Sequence, residues 1–312
     1  MEQWILKTAW DEQEYMFNTL NTPGDWSYDA RYHLLKGAYG HHGMPRTYTS
    51  DVIPNIAGEE LREELLGKRE LYMPIRIQGY TAAERELNKQ VLRRSLTYAK
   101  SVIELQITNE LGETRSCFCK YSSGFEVAPD DANRSFQSMN IPLKLTAYDP
   151  YFYDIAGNAI VHVTAYEAPV DLFFDANPWF CNPWRLGSSS VARDWVVFND
   201  GDADAYPVWT IAGPGAAPTL LNLTTGDSFI LHYTLVTDEV VTIDMREGGA
   251  TSHTVTSVMP DGTTTNLRKY MDATQRKFWA LVPGPNELSL EMEGSSGEAL
   301  VTFSFLQRFE GI

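Results

Sequence analysis

From residue 160 to the C-terminus the sequence is a succession of short segments in which apolar and polar side chains alternate, each closed by a turn signal. The segments are Ile160–Tyr166, Asp194–Phe198, Val208–Ile211, Thr219–Leu223, Ser228–Leu235, Val240–Met245, His253–Val258, Lys277–Val282, Glu287–Glu291 and Ala299–Leu306. Between them stand Asn199-Asp200-Gly201, Gly213-Pro214-Gly215, Thr225-Gly226-Asp227, Gly248-Gly249, Pro260-Asp261-Gly262 and Pro283-Gly284-Pro285-Asn286. Period-two alternation buries one face of a strand, and strands this short need a second sheet to cover that face. The pattern therefore predicts a β-sandwich of the jelly-roll kind. It contains no helical period, internal repeat or low-complexity tract.

The first half is also mainly β, with one helix. Leu71, Met73, Ile75 and Ile77 alternate in a strand that ends at Gly79, and Pro74 places it at an edge or a bulge. Thr81-Ala82-Ala83-Glu84 reads as a capping box opening a helix over about 81–98. Its expected apolar stripe is Ala83, Leu87, Val91 and Leu92, then Leu96 and Ala99, with Arg85, Lys89, Arg93 and Arg94 mainly on the other faces. Val102–Thr108 and Thr114–Tyr121 form a hairpin around Gly112. Residues 1–60 are rich in aromatics suited to core and subunit contacts, and 37–58 read as a long excursion. Glu59, Glu60, Glu63 and Glu64 around Leu61 and Arg62 predict a solvated turn or short helix.

The two halves meet at Ala147-Tyr148-Asp149-Pro150-Tyr151-Phe152-Tyr153-Asp154. A strand with Ile141, Leu143, Leu145 and Ala147 on one face runs into it, and Pro150 stops that strand. A chain of 312 residues exceeds one comfortable core, so two domains are expected, 1–154 and 155–312. Tyr148, Asp149, Pro150, Tyr151, Phe152 and Tyr153 are then the junction, with Tyr151, Phe152 and Tyr153 as candidates for wedging the domains at a fixed angle.

Composition narrows the function. The net charge is −16, with 17 basic against 22 acidic residues in 1–154 and 8 against 19 in 155–312. Such a surface does not displace counterions from nucleic acid, nor does it suit an anionic membrane. No run of about 18 apolar residues exists, and the N-terminus lacks a basic-then-apolar leader. Cys117, Cys119 and Cys181 are too few and too irregular for a disulfide framework, which fits synthesis in a reducing cytoplasm.

The motifs of catalysis are missing. His41-His42 are adjacent, point to opposite faces of an extended chain, and have no ligand partner at metal-site spacing. Asp200-Gly201-Asp202-Ala203-Asp204 fails the calcium-loop template at its sixth and twelfth positions, Ala205 and Ile211. Gly187-Ser188-Ser189-Ser190 lacks the second glycine of a nucleophile elbow. No phosphate-binding glycine loop is present, and no carboxylate pair can be nominated. The expectation is a protein without catalytic residues, metal or cofactor.

Four stretches together resemble the siphovirus distal tail protein family: Leu143–Tyr153 (LKLTAYDPYFY), Phe198–Gly213 (FNDGDADAYPVWTIAG), Phe278–Leu290 (FWALVPGPNELSL) and Val301–Ile312 (VTFSFLQRFEGI). Leu34-Leu35-Lys36-Gly37, Leu71–Gly79 and the following helix are similar to it as well, whereas 1–30 and 41–70 match less. The resemblance implies an N-terminal β-barrel-like domain with a flanking helix that forms a hexameric ring, and a C-terminal galectin-like β-sandwich projecting from it. It further implies a structural virion protein at the distal tail tip, made in the cytoplasm of a bacterial host. The implied partners are the tail tube protein, the tail-tip hub, the tape-measure protein and receptor-binding proteins, and DNA would pass through the ring without specific binding. The alternative is a carbohydrate-binding module or lectin-like receptor-binding protein gripping cell-wall sugar. Trp179, Trp184 and Trp209 are its candidates for stacking on sugar rings, although aromatics at strand spacing are commonly core.

Overall fold

A computed structural model describes residues 3–8, 14–19, 31–53, 57–98, 102–126, 135–154, 160–165, 190–247, 253–293 and 300–312. The chain forms two compact units, Met1–Gly157 with Phe309–Ile312, and Asn158–Arg308. Both are mainly β.

The first unit contains β1 (Gln3–Thr8), β2 (Glu14–Thr19), β3 (Tyr32–Leu34), β4 (Arg46–Val52), β5 (Glu59–Leu66), β6 (Arg69–Gln78), α1 (Ala82–Thr97), β7 (Ile103–Thr108), β8 (Thr114–Ser123), β9 (Ser138–Ala147) and β10 (Phe152–Tyr153). Strands β8, β7, β1, β2, β3, β6 and β9 lie side by side in that order, and β9 pairs back to β8. The sheet thus curls into a barrel-like closure, which leaves few free edges. All its ladders are antiparallel except β2–β3. Alternation explains the interior: β6 turns Leu71, Met73, Ile75 and Ile77 inward, and β9 meets them with Met139, Ile141, Leu143 and Leu145. Each such side chain contributes about 1.5–3 kcal/mol by leaving water. Trp4, Phe17, Leu105 and Cys117 complete the same core.

Three expectations for this half need correction. First, β6 is an interior strand, paired with β3 on one side and β9 on the other. Pro74 is tolerated there because its nitrogen faces the β3 side just past the end of β3, where Leu35 N donates to Pro74 O at 2.7 Å. Second, Glu59–Leu66 is a β-strand, paired with β4 in a separate two-stranded sheet with a register shift near Thr49. The usual alternation is absent because every residue of both strands is exposed, so no face had to be apolar throughout. Third, α1 is present and capped, but its buried side is Arg85, Asn88, Leu92, Ser95 and Leu96. Leu87 and Val91 face solvent, 59% and 44% exposed. Thr81 Oγ1 accepts the Glu84 amide, while the Glu84 carboxylate takes the amide of Tyr80 rather than that of Thr81.

Most polar groups under α1 have partners, Arg85 Nε being the exception. Arg85 donates to the carbonyls of Ser135 and Phe136, Asn88 Nδ2 donates to Gln78 O at 2.8 Å, and the Ser95 hydroxyl meets the Tyr15 hydroxyl at 2.7 Å. Buried polar groups with partners carry no desolvation penalty beyond what their bonds return, so apolar residues are not obligatory on the inner face.

The second unit begins with β11 (Ile160–Ala165) and β12 (Ser190–Asn199). It continues through β13 (Val208–Ala212), β14 (Gly215–Asn222), β15 (Asp227–Leu231), β16 (Thr234–Leu235), β17 (Val240–Asp244), β18 (Thr254–Val258), β19 (Thr264–Asn266), β20 (Met271–Arg276), β21 (Gly284–Glu293) and β22 (Leu300–Phe305). They build two open antiparallel sheets, β11-β22-β13-β17-β18-β19 and β12-β21-β14-β15-β20, with β16 beside β14. One core takes side chains from both, Trp209, Ile243 and Phe303 from the first and Leu220, Phe229 and Leu288 from the second. Two pieces depart from the sequence pattern. Lys277–Val282 is not a strand: Leu281 makes only an isolated bridge to Ala205, and Trp279 turns into the core. The edge strand is instead β20, whose residues Met-Asp-Ala-Thr-Gln-Arg carry no apolar alternation because none is fully buried.

The final strand β23 (Arg308–Phe309) pairs with β10 in the sheet of the first unit.

Candidate functional site

The densest polar construction in the first unit centres on Arg69, the first residue of β6. It shares the inward parity of Leu71, Met73, Ile75 and Ile77 and is fully buried. Its Nε donates to Pro150 O at 2.7 Å, Nη1 to Gly40 O at 2.6 Å and to Gly43 O at 3.1 Å, and Nη2 to Glu310 O at 2.6 Å. The guanidinium also lies over the Phe152 ring, 4.8 Å from its centroid. A planar fork with five donors is the side chain that can hold several carbonyls at once. Burial pulls the Arg69 pKa down, an effect opposed by nearby Cys117 and Glu310. Burial also pushes the Cys117 thiol up to about 12, with Arg69 working the other way.

Arg69 is one of three arginines that hold the C-terminal residues in the first unit. Arg46 pairs with the Glu310 carboxylate at 2.7 Å and with Glu64. Arg115 covers the Phe309 ring at 3.7 Å and donates to Gly311 O at 2.5 Å. Gly311 is packed so closely on the 41–42 backbone that an added Cβ would lie 2.5 Å from His42 O. Residues Pro150–Phe152, where the chain leaves the barrel-like sheet, and Phe309–Gly311, where it returns, are thus tied to one cluster. Sequence reasoning did not single out Arg69; the available signal was a charge at the inward parity of an otherwise apolar strand.

The six candidate junction residues divide by role. Tyr148 is 73% exposed. Asp149 receives the Tyr151 amide at 3.3 Å and the Tyr153 hydroxyl, which shapes the turn after β9. Pro150 supplies its carbonyl to Arg69. Phe152 is fully buried in the core of the first unit. Tyr153 pairs with Ser116 of β8, its ring 6.3 Å from that of Phe118.

Of the three candidate sugar-stacking residues, Trp179 and Trp184 lie outside the described residues. Trp209 is corrected: it is fully buried, stacked on Phe303 at 4.6 Å and edge-on to Trp195 and Trp279 at 6.1 Å and 5.9 Å. A sugar cannot reach it. The indole nitrogens of all three tryptophans sit in this cluster without a hydrogen-bond partner.

His41 is buried, edge-on to Trp4 at 4.8 Å, and its ring lies 3.9 Å from that of His42. Among the described residues no group of three or more His, Cys, Asp or Glu is placed to hold a metal, and no helix is long and apolar enough to cross a membrane.

The first unit exposes two apolar surfaces. Directly opposed residues of an antiparallel pair share a face, so Tyr48, Val52, Leu61 and Leu66 fall on one side of the β4–β5 hairpin with Ser50, Glu59 and the paired Arg46 and Glu64. Its other side carries Asp51, Glu60 and Glu63 with the single apolar residue Leu65. The second surface is the outer stripe of α1, Ala83, Leu87, Val91 and Arg94 at helical spacing.

Residues 200–309 match the family model described as siphovirus-type tail component, C-terminal domain. No curated protein matches the chain. Among solved structures the fold is similar to that of the SPP1 Dit (gp 19.1) protein, described as a paradigm of the hub adsorption apparatus in phages infecting Gram-positive bacteria. That match has a TM-score of 0.60 at 13% identity and covers 98% of this chain and 99% of the other. A chain of the phage P2 baseplate in its activated conformation matches over 100% of both chains, with TM-scores of 0.51 in the calcium form and 0.52 in the strontium form, each at 10% identity. At these identities the likeness is one of fold.

Proposed function

We propose that the chain, whose residues 200–309 match the model of the siphovirus-type tail component C-terminal domain, is a structural virion protein which joins the tail tube to the tail-tip hub. Its first unit assembles as a hexameric ring, and its second unit, a galectin-like sandwich, is displayed for host-attachment parts. The observation that carries this reading is the pairing of a tail-component domain with a barrel-like first unit that leaves an apolar hairpin and an apolar helix stripe in solvent. A head-to-tail ring needs two different apolar patches on each subunit, one for each neighbour. The net charge of −16 suits a channel that lets DNA slide past without holding its phosphates.

Light scattering on the full-length chain, with negative-stain images, tests the reading. Rings of six subunits are expected; a strict monomer at every concentration, and no ring at the tail tip of virions, would overturn it. The lectin-like alternative loses Trp209 to the core.

A further inference from the structure

We propose that the apolar face of the β4–β5 hairpin of one copy docks along the outer stripe of α1 on the next copy. The inference rests on the ring reading and says which two surfaces close it. A two-stranded hairpin with no buried residue is at best marginal in water and needs cover. This one has no burial along either strand, yet Tyr48, Val52, Leu61 and Leu66 gather on one side. The α1 stripe has the matching form: Ala83, Leu87 and Val91 in a line, prolonged by Arg94.

Charge decides the occupant. Residues 46–66 hold Arg46 and Arg62 against Asp51, Glu59, Glu60, Glu63 and Glu64, a net of −3. Apart from the buried Arg85, residues 82–97 hold Lys89, Arg93 and Arg94 against Glu84 and Glu86, a net of +1 at the surface. In a chain of net −16, α1 is a basic segment with a solvent-facing apolar stripe, and the hairpin is an acidic one. Like would repel like, so two hairpins or two helices do not pair, and the contact is heterologous, as a cyclic ring demands.

The test places a photo-crosslinking phenylalanine analogue at Leu61, or separately at Leu87, in the full-length chain. Isotope-labelled and unlabelled copies are mixed so that crosslinks between copies are told from those within one. From position 61 the expected intermolecular crosslinks fall within Ala82–Thr97, and from position 87 within 46–66. The exposed Leu111 in the β7–β8 turn serves as control and gives neither. Leu87→Asp with Val91→Asp should weaken self-association by roughly tenfold or more, as expected for losing two apolar contacts, whereas Leu111→Asp should not. Rings that form while position 61 crosslinks elsewhere would overturn the docking and leave the ring standing. Crosslinking of position 61 in virions to a different tail protein, with none to α1, would do the same. A chain that never oligomerises would overturn both.

Discussion

The Arg69 guanidinium donates to the main-chain carbonyl of Glu310, 241 residues further along the chain, at 2.6 Å. The same side chain holds Pro150 and two loop carbonyls, so one residue ties together the exit of the chain from the barrel-like sheet and its return. Arg69→Met should leave four carbonyls without their donor. A loss of about 3–5 kcal/mol is expected, read as a lower denaturant midpoint. Arg69→Lys should recover only part of it, because an ammonium cannot span the same fork of acceptors.

Phe152 and Tyr148 sit four residues apart and should behave oppositely. Phe152→Ala removes a fully buried ring and should destabilise by about 3–5 kcal/mol. Tyr148→Ala, at an exposed ring, should change stability by less than about 0.5 kcal/mol. Equal effects in thermal unfolding would contradict the placement.

Trp209→Ala should unfold the second unit more readily, by about 3–5 kcal/mol. Trp209→Phe should cost distinctly less, since it also removes an indole N–H that has no acceptor. Glycan binding by the soluble Phe variant, if the chain shows any, should be unchanged. A selective loss of binding at full stability would restore the sugar-stacking role.

Asp272 provides the pH prediction. Its carboxylate accepts from the Thr274 hydroxyl and from the amides of Thr274 and Gln275, and meets His232 Nε2 at 2.8 Å. These bonds, the Thr274 hydroxyl first and His232 second, hold its pKa below the usual carboxylate range. A depressed folded pKa stabilises above the unfolded value of about 3.9 and is lost as pH falls through the folded one. The native chain should therefore exceed Asp272→Asn in stability at pH 7. The gap should shrink in acid, as followed by unfolding midpoints from pH 7 to pH 2. A gap constant with pH would mean that the carboxylate charge plays no part.

Much of this architecture was readable as pattern. Leu71, Met73, Ile75 and Ile77 announced β6, Thr81 and Glu84 announced α1, and the turn-punctuated second half announced two covered sheets. Each is a local rule, because strand and helix periods are properties of consecutive residues. The β5 strand was not readable. Its four glutamates have no alternation, and only the ladder to β4 makes it extended.

The sequence by itself determined the mainly β class, the helix α1 with its start, and the acidic surface, since each follows from short-range spacing or from a sum over residues. Tertiary structure alone decided which way α1 faces, that Trp209 is core, and that the last four residues belong with the first unit. The reason in each is contact with residues distant in sequence, which for Trp209 are Trp195, Trp279 and Phe303. Arg85, Asn88 and Arg69 are buried because distant carbonyls await them, and Leu87 stays outside because its place was taken. Such pairings join residues tens to hundreds of positions apart, which no local period encodes.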